Sequence, residues 1–279
     1  MHIFLIDWAR RVLFPALFAA VLFIANEVQA QKLDNTLLWK IEGDSIETSY
    51  LFGTFHLLPQ EDFELKDKVK LAFRESEQVV MELDMDDTNM QVEMMKNIQM
   101  KDGQTLDQLL EEEDISLLDD QLQKAVGLTA VQVNTFKPFM VETFLLPTFI
   151  EGTPASYEMT FVQMAVSRTI PIEGLEMVAD QTQIFDEIPY KDQAEDLVDI
   201  LRNRQNMETM FSQMIKLYKK EDINQLYEES IDYFSELEVD LLLHKRNANW
   251  IDKIGDFASE KPTFFAVGAG HLGGKQGVV

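Results

Sequence analysis

The sequence predicts an α/β protein with a central mixed or parallel sheet, a large helical insertion and a single domain. Three observations support this fold class. A strand, a helix and a second strand follow one another within residues 46–83, the pattern of a βαβ unit with parallel strands. Apolar residues recur at helical spacing through residues 87–168. A last apolar strand follows near residue 265, so the sheet resumes after the insertion.

The first strands are predicted from short apolar runs bounded by turn residues. Residues 37–42 (LLWKIE) and 46–52 (IETSYLF) predict two strands joined by a turn at residues 43–45. Residues 67–77 place apolar side chains at helical spacing among charged ones, and residues 78–83 (QVVMEL) predict a buried strand.

The remaining elements are mostly helical. The methionines of the insertion fall at helical spacing and are interpreted as core residues. Pro138 is expected in the first turn of a further helix. After a short strand at residues 169–175, the pattern predicts helices at residues 191–219, 222–233 and 238–257 and a buried strand at residues 262–267.

Residues 1–30 have the pattern of a secretory signal peptide cleaved near Ala30. Arg10 and Arg11 precede an apolar run of about fourteen residues, which is short for a membrane anchor of about 20. We therefore expect a periplasmic or secreted protein in which residues 31–279 form the mature domain, with no stable membrane span. The chain has no cysteine, which excludes disulfides, thiolate zinc sites and a lipoprotein anchor.

The charge balance restricts the class of partner. Asp and Glu number 49 against 24 Lys and Arg, giving a net charge of −25. Nucleic acids and anionic lipids require clustered basic groups, so neither is expected as a partner. The oligomeric state is left open.

Two of the histidines share one local context. His56 and His271 each follow an apolar strand and a Gly-x-x-His motif, which begins at Gly53 and Gly268. We expect each glycine to adopt a backbone conformation that a side chain would resist, so that the histidine points back over the sheet. Ligands of open α/β sheets bind at the carboxyl ends of the strands, where these histidines are predicted. The alternative is that each histidine only shapes a turn.

Carboxylates at neighbouring strand ends could complete a metal site. Glu82 lies at the end of the strand at residues 78–83, Asp84 follows on the same face, and Glu176 follows the strand at residues 169–175. Two imidazoles and a carboxylate with open positions suit Zn, Mn, Fe or Co. Glu82 is the preferred third ligand, although an exposed charge at a strand end is the simpler interpretation.

Other polar residues are less specific. Arg246 and Asn247 lie on the predicted helix before the last strand, where Arg246 could bind a carboxylate or an oxyanion or could be an ordinary surface residue. His244 lies among charged helical residues and is interpreted as solvated or structural.

Five segments, in order and over nearly the whole mature chain, together resemble the TraB/GumN family. They are SYLFGTFH (49–56), VVMELD (79–84), IEGLE (172–176), RNANW (246–250) and FFAVGAGHLGGKQGVV (264–279). That family includes the Tiki proteins, metal-dependent peptidases that act on secreted signalling proteins. It is also similar in fold to ChaN-like haem-binding proteins and to erythromycin esterase-like proteins. The family motifs match His56, Glu82, His271, Arg246 and Asn247.

The resemblance implies a metal-dependent hydrolase, in particular a peptidase, with His56, Glu82 and His271 holding a divalent ion (Mn, Co or Zn) and Arg246 acting beside them. Asp84, Glu176 and Asn247 would support these residues. Two alternatives stay open: a non-catalytic protein that binds haem or a peptide through the same histidines, and a metal-free site with His56 as general base. Relatives usually continue with a helix and a strand beyond the last motif, so we expect a truncated sequence or a weakly supported His271.

Overall fold

A computed structural model describes residues 33–279, which form one unit. The predicted signal peptide, residues 1–30, lies outside the described residues. The strands of the described part are β1 (Leu38–Gly43), β2 (Ile46–Thr54), β3 (Leu58–Pro59), β4 (Gln78–Leu83), β5 (Pro154–Ala155), β6 (Ile172–Glu176) and β7 (Thr263–Gly268).

Helices occupy the regions of predicted helical periodicity, but the single helix predicted at residues 191–219 is two helices that meet at Asn203. The helices are α1 (Asp67–Glu75), α2 (Met90–Asn97), α3 (Leu106–Leu109), α4 (Glu112–Val126), α5 (Pro138–Leu145), α6 (Tyr157–Arg168), α7 (Val178–Ile184), α8 (Tyr190–Arg202), α9 (Arg204–Lys219), α10 (Ile223–Tyr233), α11 (Glu236–Val239) and α12 (Lys245–Glu260). Short 3-10 turns at Leu146–Phe149 and Ala269–His271 and a π-helical segment at Asp240–His244 complete the set. Within residues 33–279, no helix is both long enough and apolar enough to cross a membrane.

The α/β class with a mixed central sheet is confirmed. The main sheet has the order β1-β2-β7-β4-β6, in which β1 is antiparallel to β2 and the other neighbours are parallel. All six residues of β7 are buried, as expected for a central parallel strand covered on both faces. Although β2 and β4 are joined through α1, they are not neighbours, because β7 from the end of the chain lies between them.

Aromatic packing fixes helices on the sheet. Phe73 of α1 and Phe161 of α6 stack with ring centroids 5.7 Å apart, and both contact Phe264 of β7. The long helix α12 packs against β2, β6 and β7 and buries Trp250 completely. These contacts hold the ends of the parallel strands in register.

The predicted helical insertion at residues 87–168 does not have a core of its own. Leu118 and Leu122 of α4 and Val141 of α5 pack with Leu197 and Ile200 of α8, which lies outside the predicted insertion. At its other end, α6 packs on β4 of the sheet. The amphipathic helices of the insertion bury their apolar faces only by recruiting later helices.

Candidate functional site

The parallel strands bring the predicted residues to one edge of the sheet. Glu82 lies at the end of β4, Glu176 is the last residue of β6, and Gly268 is the last residue of β7. His56 follows the end of β2 by two residues. Because β2, β7, β4 and β6 all run in the same direction, these four strand ends meet where open α/β sheets bind ligands.

The three predicted metal ligands surround the α-carbon of Gly268. A β-carbon placed there would lie 3.3 Å from Oε1 of Glu82, 3.5 Å from Nε2 of His56 and 3.5 Å from Cδ2 of His271. The backbone N–H of Gly268 donates to Oε1 of Glu82 at 2.8 Å. The missing side chain therefore leaves a space that all three side chains face.

The reason expected for the two motif glycines is wrong. Gly268 has φ −54° and ψ 137°, which any residue can adopt, and Gly53 is not among the glycines of residues 33–279 with positive φ. The requirement is space. A β-carbon at Gly53 would lie 2.6 Å from Cδ1 of Leu272 and 3.2 Å from Cα of Ala269, so this glycine lets the second motif pack against β2.

His271 is buried and held on both ring nitrogens. Its Nδ1 lies 2.6 Å from Oδ1 of Asn247, and Nη1 of Arg246 donates to its Nε2 at 3.2 Å. Its ring lies against Trp250 with centroids 4.4 Å apart. Desolvation lowers the pKa of His271 to about 3, so the ring is neutral, with its proton on Nδ1 and its lone pair on Nε2.

Arg246 joins the strand-end carboxylates and is not a surface arginine. Its side chain is 12% exposed, and its Nη2 donates to Oε2 of Glu82 at 2.6 Å and to Oε2 of Glu176 at 3.0 Å. Trp250 donates from Nε1 to Oε1 of Glu176 at 2.9 Å. Desolvation raises the pKa of Glu82, but the charge of Arg246, together with the site histidines and the N–H donated by Gly268, outweighs it and holds that pKa far below its usual range. Arg246 thus compensates two buried negative charges.

His56 is the exposed member of the site. Its side chain is 66% exposed, and its Nδ1 lies 2.8 Å from Oε1 of Glu158. Desolvation lowers the pKa of His56, but the hydrogen bond and charge of Glu158 raise it to about 9. Ser156 donates from Oγ to Oε2 of Glu158 at 2.7 Å and orients that carboxylate. The free Nε2 of His56 faces Gly268.

Sequence reasoning missed Glu158. It lies in the first turn of α6, within the predicted insertion, and no spacing connects it to His56, which is 102 residues earlier. The available signal was local: Ser156 is the N-cap of α6, and its hydroxyl accepts from the N–H of Met159. A carboxylate in the first turn of a capped helix is common, so this signal does not single out a site.

The predicted supporting residues divide into two groups. Glu176 and Asn247 contact Arg246 and His271 as described, whereas Asp84 lies in a turn where it accepts from the N–H of Asp86 at 3.3 Å. Desolvation and the neighbouring Asp86 raise the pKa of Asp84 to about 6. Within residues 33–279, no hydrogen bond joins Asp84 to the site. His244 contacts the hydroxyl of Tyr227 at 2.9 Å and has a structural environment.

The helix that carries Arg246 was predicted as one regular helix at residues 238–257, but a π-helical turn interrupts it. A π-helical turn at Asp240–His244 separates α11 from α12, and Nη1 of Arg246 donates to the carbonyl of Leu242 within it. Inserted π-helical turns change the direction of the side chains that follow, and they are frequent at functional sites. Here the turn precedes the residue that binds both strand-end carboxylates.

The segment after His271 supports the second motif. The N–H of Val278 donates to the carbonyl of His271 at 2.9 Å, and Nδ2 of Asn247 donates to the carbonyl of Gln276 at 2.7 Å. The ring of Tyr227 lies against Gly274 so closely that a side chain there would clash. His271 is therefore held from both sides, contrary to the expectation of weak support.

The donor set suits a divalent metal, although its present spacing does not hold one. Nε2 of His56, the Cδ2 edge of the His271 ring and a carboxylate oxygen of Glu82 converge on Gly268, but no three His, Asp or Glu side chains of residues 33–279 are spaced to bind a metal together. Arg246 occupies Oε2 of Glu82 and Nε2 of His271. Metal binding would require Nε2 of His271 to exchange the arginine for the metal, whereas Glu82 could bind through Oε1, which does not contact Arg246.

Comparison with known proteins identifies the family. The family model described as TraB/PrgY/gumN family matches residues 37–279, nearly the whole described chain. No curated protein and no solved structure matches the chain. The family match spans every strand of the main sheet and both Gly-x-x-His motifs, and the chain therefore belongs to the TraB/PrgY/gumN family.

Proposed function

We propose that this protein is a metal-dependent hydrolase that acts on peptides, with His56, Glu82 and His271 as the metal ligands. The observation that carries the proposal is the convergence of these three side chains on the space beside Gly268. In each histidine Nδ1 is engaged, by Glu158 or by Asn247, which leaves Nε2 as the nitrogen available to a metal; Nε2 of His56 faces the space, and Nε2 of His271 now accepts from Arg246. Such outer partners are typical of metal-binding histidines.

A bound divalent ion would polarise a scissile carbonyl and lower the pKa of a bound water. The contacts of Arg246 favour a positioning role for this residue. Its guanidinium binds Glu82 and Glu176 together, so it fixes the direction in which the Glu82 carboxylate points. The resemblance to metal-dependent peptidases supports peptides as the substrate class, and the predicted signal peptide supports substrates outside the cytoplasm.

A metal-free hydrolase is the second candidate, because His56 and Glu158 form a hydrogen-bonded pair at the exposed side of the site. In such an enzyme His56 would act as general base. With a pKa of about 9, His56 must lose a proton before it can act as a base, and metal binding through Nε2 requires the same loss, so chelation is what separates the two candidates.

The decisive variant is Gly268→Ala, which fills the space among the three ligands without requiring a strained backbone. Gly255→Ala is the matched control, because a β-carbon at this helical glycine meets nothing within 4 Å. Metal content would be measured after incubation with Mn²⁺, Co²⁺ or Zn²⁺, together with cleavage of a peptide library before and after chelation.

We expect the wild type and Gly255→Ala to bind metal stoichiometrically and to cleave peptides only with metal, and Gly268→Ala to lose at least about tenfold in metal affinity. Cleavage that survives exhaustive chelation would select the metal-free candidate. A Soret band on the purified protein would select the haem-binding alternative. Unchanged metal binding by Gly268→Ala would contradict the ligand assignment.

A further inference from the structure

A cavity lined by several carboxylates lies away from the strand ends. It has a volume of about 220 Å³ and is formed by α5, α8, the start of α9, the end of α10 and α11. Four carboxylates line it: Glu142, Asp196, Asp199 and Glu238. No lysine, arginine or histidine is among the described residues that line it. The cavity therefore collects negative charge that its own wall does not compensate.

Glu142 and Glu238 are the buried members of this group, each only 9% exposed, and both line the cavity. Glu238 accepts hydrogen bonds from Ser235. Within residues 33–279, no hydrogen bond or ion pair reaches the carboxylate of Glu142. Buried carboxylates are almost always paired, because an isolated buried charge is costly. An unpaired carboxylate that faces a cavity would therefore be stabilised by a positively charged or hydrogen-bond-donating ligand.

The neighbouring charges act on Glu142 in the same direction. Desolvation raises its pKa to about 8, and the charges of Asp196 and Glu238 add to this effect. The pKa of Asp196 rises to about 6, through desolvation and then the charge of Glu238. Glu238 accepts hydrogen bonds from Ser235, which hold its carboxylate in place at the start of α11.

Aromatic rings complete the wall of the cavity. Phe139, Tyr233 and Phe234 line it beside the carboxylates, and Tyr233 is 41% exposed at the surface. Carboxylates together with aromatic faces are the environment that recognises organic ammonium groups. The volume also exceeds what a bare ion needs, since a water molecule takes up about 30 Å³ of liquid.

We propose that this cavity binds a small organic cation of the aliphatic amine class, with a primary ammonium group paired to Glu142 and an alkyl chain against Phe139 and Tyr233. The site is separate from the strand-end residues, and the proposal does not depend on the proposed hydrolase activity. Asp196 and Asp199 lie at the exposed rim, where a second ammonium group of a diamine would be compensated.

The test uses putrescine as the probe, with isothermal titration calorimetry and thermal unfolding of the full chain at neutral pH and physiological salt. Glu142→Gln removes the carboxyl group that can ionise when an ammonium group binds, and it keeps the shape of the side chain. Glu195→Gln is the matched control, since it makes the same charge change on α8 at a side chain that is 68% exposed and outside the cavity. Magnesium chloride at equal ionic strength controls for general attraction to an acidic protein.

We expect putrescine to bind saturably and to raise the unfolding temperature of the wild type and of Glu195→Gln, and we expect Glu142→Gln to lose at least about tenfold in affinity. A second variant, Tyr233→Ser, should weaken binding with Glu142 intact. Equal binding by Glu142→Gln and wild type would overturn the proposal. So would the absence of saturable binding, or a magnesium effect equal to that of putrescine.

Discussion

The protein contains two groups of buried carboxylates, one with a positively charged partner and one without. At the strand ends, Glu82 and Glu176 share the guanidinium of Arg246. In the helical region, Glu142 is equally buried but has no partner within residues 33–279, and Glu238 and Asp196 add to its negative surroundings. The pKa of Glu82 is lowered and that of Glu142 is raised, so the same side chain is ionised in one place and neutral in the other at neutral pH.

The difference shows what burial alone does and what a partner changes. Desolvation is the largest influence on both glutamates and raises the pKa of each. At Glu82 the charge of Arg246, with the site histidines and the N–H of Gly268, reverses it. The negative charges at the strand ends are thus balanced by positive groups of the protein itself. The charge of Glu142 is balanced only when the carboxylate takes up a proton or binds a cation from solution.

The largest effect is expected from removing the compensating charge. Arg246→Met leaves Glu82 and Glu176 buried without their partner, and breaking a buried ion pair in this way costs about 3–5 kcal/mol. Urea unfolding followed by circular dichroism would measure the loss. Lys245→Met is the control, because that side chain is 55% exposed and such pairs contribute about 0–1 kcal/mol. Equal losses in the two variants would mean that Arg246 does not compensate the carboxylates.

A gain in stability, and not a loss, is expected when the carboxyl group of Glu142 is removed. The pKa of Glu142 is raised from 4.5 to about 8, so the wild type loses stability as the pH rises from about 4.5 through about 8, where the unfolded chain is ionised and the folded chain is not. Glu142→Gln lacks this loss. At about 1.4 kcal/mol per unit of pKa, the variant should gain at least about 2 kcal/mol at pH 8.5 and little at pH 5.

The groups that face Glu142 are Asp196, Glu238, Asp199 and Tyr233, all of which stay in place in that variant. Unfolding free energies measured across this pH range would reveal the difference, with Glu195→Gln as the reference for a surface carboxylate. A gain that does not depend on pH would show that the ionisation of Glu142 is not its cause.

A smaller loss of stability is expected from removing Trp250, the second donor to the Glu176 carboxylate besides Arg246. Trp250→Phe removes the Nε1–H donor 2.9 Å from Oε1 of Glu176, and a hydrogen bond to a charged group is worth about 1.5–3 kcal/mol. Trp39→Phe is a control of the same chemistry, because Nε1 of Trp39 is buried and has no hydrogen-bond partner in the described part of the chain. Thermal unfolding should show a clear loss for Trp250→Phe only.

Much of the site could be predicted because its residues carry local signals. His56, Glu82 and Gly268 follow or end apolar strands, and strand ends in parallel sheets meet at one edge. Glu158 could not be predicted, since its partner is far away in the chain and its own surroundings are those of any helix start. The role of Gly53 was also out of reach, because only the packing of Leu272 against it requires a glycine.

The sequence by itself determined the five strands of the main sheet, the helices at residues 67–75 and 223–233 and the two histidine motifs, because apolar runs and helical spacing depend on residues within a few positions of one another. Only the tertiary structure decided that β7 lies between β2 and β4, which brings His271 beside His56 and Glu82. It also decided that Arg246 compensates the strand-end carboxylates while Glu142 stays unpaired. Such pairings arise from the packing of distant segments, and local sequence patterns carry no record of which segments will meet.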